Sequence, residues 1–136
     1  LSNRSLLVYV ENDPGSRKVL QLLMTRLPYP VELALFEDSA RFIPQVEALP
    51  VMPDVFLLDI HVLPLDGFEM LRRLRAHPTF AHKMVVAITA SVMNAEVQSL
   101  REAGFDGVLA KPLHFHSFPT TLDRIMAGER IWAIQR

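Results

Sequence analysis

At 136 residues and 15.4 kDa, the chain has the size of one domain and can bury roughly two-thirds of the surface it exposes when unfolded. Half of its residues are hydrophobic, and 14 Lys+Arg against 15 Asp+Glu leave a net charge of −1, so the clustered positive charge that grips nucleic acid or anionic membrane is missing. The absence of cysteine excludes disulfides, thiol nucleophiles and thiolate metal sites.

The first apolar run, Leu6–Val10, reads as a strand. It is too short for a secretory core of about 7–15 residues, and no other run approaches the ~18 apolar residues of a membrane span. These features predict a soluble, intracellular, cytoplasmic protein. Asp13-Pro14 then reads as a helix cap followed by proline at the first helical position, where a missing N–H costs nothing. Val19, Leu20, Leu23, Met24 and Leu27 recur at helical spacing until Pro28-Tyr29-Pro30 ends the helix. A second strand follows at Val31–Phe36, and a second helix at about Ala40–Leu49, where Pro44 predicts a late start or a distorted first turn.

Val55–Leu58 is the third strand, and Gly67–Ala76 a helix with Phe68, Leu71 and Leu74 on one face, stopped by His77-Pro78. Met84–Ile88 is the fourth strand. Val92–Ala103 is a helix ending at Gly104, a left-handed residue just past its end. A shorter run, Val108–Ala110, follows Gly107, and Phe115–Ala127 is the last helix, before Gly128. Runs that are apolar at consecutive positions suit strands covered on both faces, as in parallel sheets. Strand and helix alternate five times without linker or repeat, so the fold class is α/β with right-handed helical crossovers.

In such a sheet, ligands bind beyond the carboxyl ends of the strands. The polar residues there are Glu11, Asn12 and Asp13 after the first strand, Asp59 after the third, Thr89 after the fourth and Lys111 after the fifth. Singly each has a plain structural explanation: Asp13 as a cap, Thr89 as a loop hydroxyl, Lys111 as a solvated end. With Asp13 set aside as a cap, they jointly place two carboxylates, an amide, a hydroxyl and an ammonium on one rim. Asp59 stands out because it follows four apolar residues, where an unpartnered carboxylate is costly. The set suits phosphate and a hard cation: Mg²⁺ takes one or two carboxylates plus waters and phosphate. Lys111 and Thr89 can meet phosphoryl oxygens, and a carboxylate can itself be the nucleophile. No glycine-rich phosphate loop is present, so a bound nucleotide is not expected.

These residues resemble the receiver domain of bacterial two-component response regulators, from about Ser5 to Ala127. The resemblance rests on Val10-Glu-Asn-Asp-Pro14 with Arg17, on Leu57-Leu-Asp-Ile60 followed by Asp66-Gly67, on Thr89-Ala90, and on Gly104-Phe-Asp-Gly107 running into Lys111-Pro112. Asp59 precedes Asp66-Gly67 by seven residues, Thr89 by thirty and Lys111 by fifty-two. The motifs stand in order and in register. The resemblance implies a five-stranded parallel sheet in order 2-1-3-4-5 with helices on both faces, a doubly wound, flavodoxin-like fold.

It also implies roles. Asp59 would accept a phosphoryl group from the phosphohistidine of a histidine kinase or phosphotransfer protein. Glu11, Asn12, Asp59 and the backbone carbonyl of His61 would surround Mg²⁺, while Thr89, the Ala90 N–H and Lys111 would hold phosphoryl oxygens. The Lys111–Pro112 bond would be cis. The chain would then be a phosphoacceptor rather than an enzyme. Its switch would act on a downstream protein or output domain through the fourth helix, fifth strand and fifth helix.

Three departures from the family pattern stand out. Asn12 replaces an acid, which predicts weaker Mg²⁺ binding; Asp13 fits a cap better than a ligand. Pro64 lies one place later than usual after Asp59, and His61 is expected as a solvent-facing loop residue. Val108 stands three before Lys111, where many receivers carry an aromatic that moves on activation. These departures motivate an alternative, a pseudo-receiver that docks partners without cycling phosphate. A further alternative, an aspartate-nucleophile phosphohydrolase, commonly needs an acid two residues after the nucleophile, where this chain has His61.

The remaining residues receive structural readings. His114 and His116 lack a metal-ligand partner, Arg72, Arg73 and Arg75 are expected on the solvated side of their helix, and the methionines are expected to fill core gaps. Residues 1–128 are expected to form the receiver domain and 129–136 a C-terminal tail, with Trp132 either exposed for interaction or packed on the domain. That tail is too short for a DNA-binding unit, so the chain is either a stand-alone receiver or one cut from a longer protein.

Overall fold

The apolar runs become strands and the capped, periodic stretches become helices in a computed structural model that describes residues 5–132. In chain order these are β1 (Ser5–Val10), α1 (Pro14–Met24), β2 (Val31–Phe36), α2 (Phe42–Glu47), β3 (Val55–Asp59), α3 (Gly67–Ala76), β4 (Met84–Thr89), α4 (Asn94–Ala103), β5 (Gly107–Ala110) and α5 (Phe118–Met126). The strands form one parallel sheet in order β2-β1-β3-β4-β5, as the resemblance implied. Strand alternation divides the core into two layers. Val8, Val10, Phe56, Leu58, Val85, Ala87 and Val108 pack toward α2, α3 and α4. Leu7, Tyr9, Val55, Leu57, Val86, Ile88 and Leu109 pack toward α1 and α5.

The element ends follow local chemistry. Asp13 caps α1 by accepting from the Ser16 N–H, and Pro14 stands at its start. The helix stops at Met24, before Leu27, because the N–H groups of Thr25, Arg26 and Leu27 turn to carbonyls three residues back, tightening the last turn. α2 starts late, at Phe42, which leaves Pro44 in its first turn where no donor is missed. α4 begins at Asn94 rather than Val92 because the Glu96 carboxylate caps the Met93 N–H at 3.0 Å; it ends at Gly104, in the left-handed region at φ 108. α5 begins at Phe118 rather than Phe115, since Pro119 fits only a first turn.

Some expectations are corrected. β2 is an edge strand, mostly half-buried rather than covered on both faces. Met70 is core, but Met52 and Met93 are exposed. Trp132 is half-buried against the core beside β5. Residues 133–136 of the expected tail, and residues 1–4 of the expected domain, lie outside the described residues. Among the described residues no helix is long and apolar enough to cross a membrane.

Candidate functional site

β1 delivers Glu11 to the rim, where it is fully buried. Its backbone N–H donates to the Phe36 carbonyl at 3.0 Å, and its carbonyl accepts from Arg17 Nη1 at 2.7 Å. Its carboxylate is gripped from three sides: Oε1 takes the Tyr9 hydroxyl at 2.8 Å and Lys111 Nζ at 2.6 Å, and Oε2 takes the Asp13 N–H at 3.2 Å. β3 delivers Asp59, buried at 4 % exposure. Its Oδ1 accepts the His61 N–H at 2.9 Å and its Oδ2 faces Lys111 Nζ at 3.1 Å. One ammonium therefore bridges two buried acids.

The remaining sequence-predicted residues stand around this pair. Thr89 ends β4 next to Ile88, the strand partner of Asp59, is buried, and accepts the Ser91 N–H on its hydroxyl at 3.2 Å. Ala90 follows it, exposed. The Lys111 N–H donates to the Thr89 carbonyl at 2.9 Å, which ties the end of β5 to the end of β4. Asn12 and His61 are exposed at the rim, and Asp13 is spent as the α1 cap. Both Lys111–Pro112 and Leu63–Pro64 are cis; the second was not foreseen. A groove of about 430 Å³ opens beside Thr89 and His61 under α4, and another of about 450 Å³ lies beside Lys111 and Ala90 along α1.

The electrostatics follow from two acids sharing one cation. Burial, reinforced by Asp59 alongside, raises the Glu11 carboxyl above the usual range, against the opposing pull of Lys111, Tyr9 and the Asp13 N–H. Burial also pushes Asp59 up, but Glu11, the His61 N–H and Lys111 outweigh it and hold Asp59 below its ordinary value. Burial would lower Lys111, yet its two carboxylate partners hold it above its ordinary value. Of the two acids, Asp59 is therefore the one that holds its charge more readily.

Among the described residues no group of three or more His, Cys, Asp or Glu is placed to hold a metal. The rim offers two carboxylates, and one ammonium leaves them one negative charge in excess when both are ionised. That fits Mg²⁺, which needs only one or two carboxylates and fills its other positions with water, carbonyl or amide oxygen.

Sequence reasoning missed two residues. Tyr9 reads as part of an apolar strand; the signal for its role is the period of two, which puts it on the same strand face as Glu11. Arg75 is not on a solvated face: it donates to the Ala81, Lys83 and Gly104 carbonyls and to Asp106. Arg72 and Arg73 are exposed as expected, both paired with Glu69.

Comparison with known proteins matches the family model for the response regulator receiver domain to residues 7–123. The chain is 29% identical over 123 residues to the signal transduction histidine-protein kinase BarA of Escherichia coli K12, covering 90% of this chain and 13% of that protein. It is 29% identical over 70 residues to the polar-differentiation response regulator DivK of Brucella ovis, covering 52% of this chain and 57% of DivK. The chain thus spans less than two-thirds of either relative. Among solved structures, the receiver domain of sensor histidine kinase PA1611 from Pseudomonas aeruginosa PAO1 shares the fold at TM-score 0.73 and 24% identity. It covers 92% of this chain and 96% of that one, and carries a magnesium ion in its active-site cleft.

Proposed function

The chain belongs to the response regulator receiver family of two-component systems, and on that premise we propose that Asp59 is its phosphoacceptor and that the strand-end rim is a working phosphoryl site. The observation that carries this reading is the buried Asp59 carboxylate, 3.1 Å from Lys111 at the end of β3. A carboxylate oxygen of Asp59 attacks the phosphorus of a phosphohistidine; the P–O bond forms as the P–N bond breaks, and the imidazole leaves with a proton. Lys111 takes up negative charge on the phosphoryl oxygens, and the Thr89 hydroxyl and Ala90 N–H donate to others. Positioning and charge neutralisation supply the catalysis. Glu11, Asp59, the Asn12 side chain and the His61 carbonyl would hold Mg²⁺, which when bound shields the incoming phosphoryl charge.

In this reading the phosphoryl donor is a histidine kinase or phosphotransfer protein, the phosphorylated face acts on a downstream protein or output domain, and the setting is the cytoplasm. The chain is a phosphoacceptor rather than an enzyme. Intact-mass spectrometry after incubation with Mg²⁺ and a small phosphoryl donor tests it, with Asp59→Ala alongside. A phosphoryl adduct on the parent and none on the variant is the expected result. No adduct at high Mg²⁺, with a phosphohistidine donor tried as well, would overturn it in favour of a pseudo-receiver. Asn12 in the acid pair is the feature that favours that second reading.

A further inference from the structure

Past α5 the backbone turns back along the outer edge of β5. Gly128 takes φ 93; its N–H donates to the Ile125 carbonyl at 2.9 Å and the Glu129 N–H to the Arg124 carbonyl at 3.0 Å. These bonds close the helix end and reverse the chain. The two residues that follow are tied to the domain: Arg124 Nη2 meets Glu129 Oε2 at 2.6 Å, and Arg130 Nη2 stands 3.5 Å from Asp106 Oδ1. The Val108 N–H then donates to the Ile131 carbonyl at 2.8 Å, and Val108 and Trp132 form a parallel bridge.

The next two side chains alternate as in a strand. Ile131 packs on the layer covered by α1 and α5. Trp132 packs on the opposite layer, with the Arg101 guanidinium of α4 4.7 Å over its ring. Gly107 makes room for this approach: a Cβ there would lie 2.5 Å from the Ile131 carbonyl oxygen and 3.2 Å from its nitrogen. The edge of β5 has space for backbone at its first residue and apolar contacts for alternating side chains on both sides.

We propose that the outer edge of β5 is a strand-docking surface whose resident ligand is this chain's own Ile131–Trp132 segment, seated in cis, and that the seated segment masks this edge from other extended peptides. An unpaired edge offers a row of N–H and C=O groups to any passing strand. The short Gly128–Arg130 link gives the resident segment an effective concentration in the millimolar range. Among the described residues its hold is an isolated bridge to Val108 and a half-buried indole, which leaves it displaceable. This surface is separate from the phosphoryl chemistry and does not depend on it.

Trp132 is the only tryptophan, so its fluorescence reports docking directly. In the parent chain its emission is expected to be blue-shifted and protected from acrylamide. Gly107→Val, which fills the seat, is expected to shift emission to the red and raise quenching severalfold, with the circular dichroism unchanged. A second measurement covers the case in which Gly107→Val does not fold. The full chain carrying Trp132→Ala is mixed with a labelled peptide of residues 129–136, and anisotropy is read. The peptide is expected to bind that variant at least about tenfold more tightly than the parent, whose edge is occupied. Equal quenching in parent and Gly107→Val, or equal peptide binding by parent and Trp132→Ala, would overturn the proposal. Protection of Trp132 that appears only as a dimer forms would overturn seating in cis.

Discussion

The two ends of the sheet each hold a buried aspartate against a cation, and they solve that problem differently. At the amino end of β4 and β5, Asp106 takes the Val85 N–H at 2.9 Å and Arg75 Nη2 at 2.8 Å, while the same guanidinium spans three carbonyls. The one negative charge is met by the Arg75 guanidinium, with the exposed Arg130 3.5 Å away, and a rigid fork of donors uses its capacity within the protein. At the carboxyl end, Lys111 is a single point charge between Glu11 and Asp59. Here the acids outnumber the cation, and the ammonium can swing to a third anion. The same residue chemistry is a fixed bracket where the acid is fully matched by cations and a site with spare negative charge where it is not.

Asp59→Asn should break this comparison most sharply. Phosphoryl incorporation is expected to vanish entirely by intact mass, while the denaturation midpoint stays level or rises, since the substitution removes one of two like charges held together in low dielectric. A large loss of stability would show that Asp59 is a bracket like Asp106.

Arg75→Ala is the mirror image. It leaves Asp106 to the Val85 N–H and the exposed Arg130 and frees three carbonyls, so stability is expected to fall by about 3 kcal/mol in a chemical denaturation curve. Phosphoryl incorporation at a temperature where the variant is folded should be unchanged. Arg75→Lys should recover less than half of the loss, because one ammonium cannot span the guanidinium's positions.

Much of the rim was legible in the sequence because strand ends in a parallel sheet converge whatever the details of packing. Glu11, Asp59, Thr89 and Lys111 follow apolar runs, and the runs alone place them together. The bracket was not legible. Arg75 reads as one of three arginines on a polar helical stretch, and only the loop at Ala81–Lys83 and the three-dimensional return of the chain at Gly104–Asp106 give it partners. Tyr9 was hidden for the opposite reason, since an aromatic in an apolar run satisfies the core pattern without its hydroxyl. Helix starts fall later than the apolar pattern suggests where the residue that fixes the start lies inside the stretch, as with Glu96 and Pro119. The Ile131–Trp132 return was also out of reach, because Gly107 reads as a turn residue until a backbone is seen lying where its Cβ would be.

Tyr9→Phe should sharpen the contrast from inside the poised end. It removes one donor from a buried carboxylate without changing shape, and about 2 kcal/mol of stability is expected to go at neutral pH. The sign with pH is fixed by Glu11. Its carboxyl is raised in the folded state by burial and by Asp59, so its contribution to stability is full below its unfolded value and is lost as pH rises through the folded one. The Tyr9 hydroxyl opposes that rise. The cost of Tyr9→Phe should therefore be larger at pH 8 than at pH 5, measured by paired denaturation curves; a cost that is flat with pH would mean the hydroxyl does not act through Glu11.

The smallest expected effect comes from increasing the imbalance itself. Asn12 is exposed at the rim, so Asn12→Asp adds a carboxylate without disturbing the core. A unit charge a few ångströms from a dication in largely aqueous surroundings is worth on the order of 1–2 kcal/mol, so Mg²⁺ affinity is expected to tighten about tenfold in a calorimetric titration. Without the ion the same charge adds to an acidic surplus that Lys111 already bridges alone, so the metal-free variant should be slightly less stable than the parent. The two shifts have opposite signs and one cause. An Asn12→Asp chain with unchanged Mg²⁺ affinity would mean that this side chain stands outside the ion's coordination sphere and that the rim gathers its cation with Glu11 and Asp59 only.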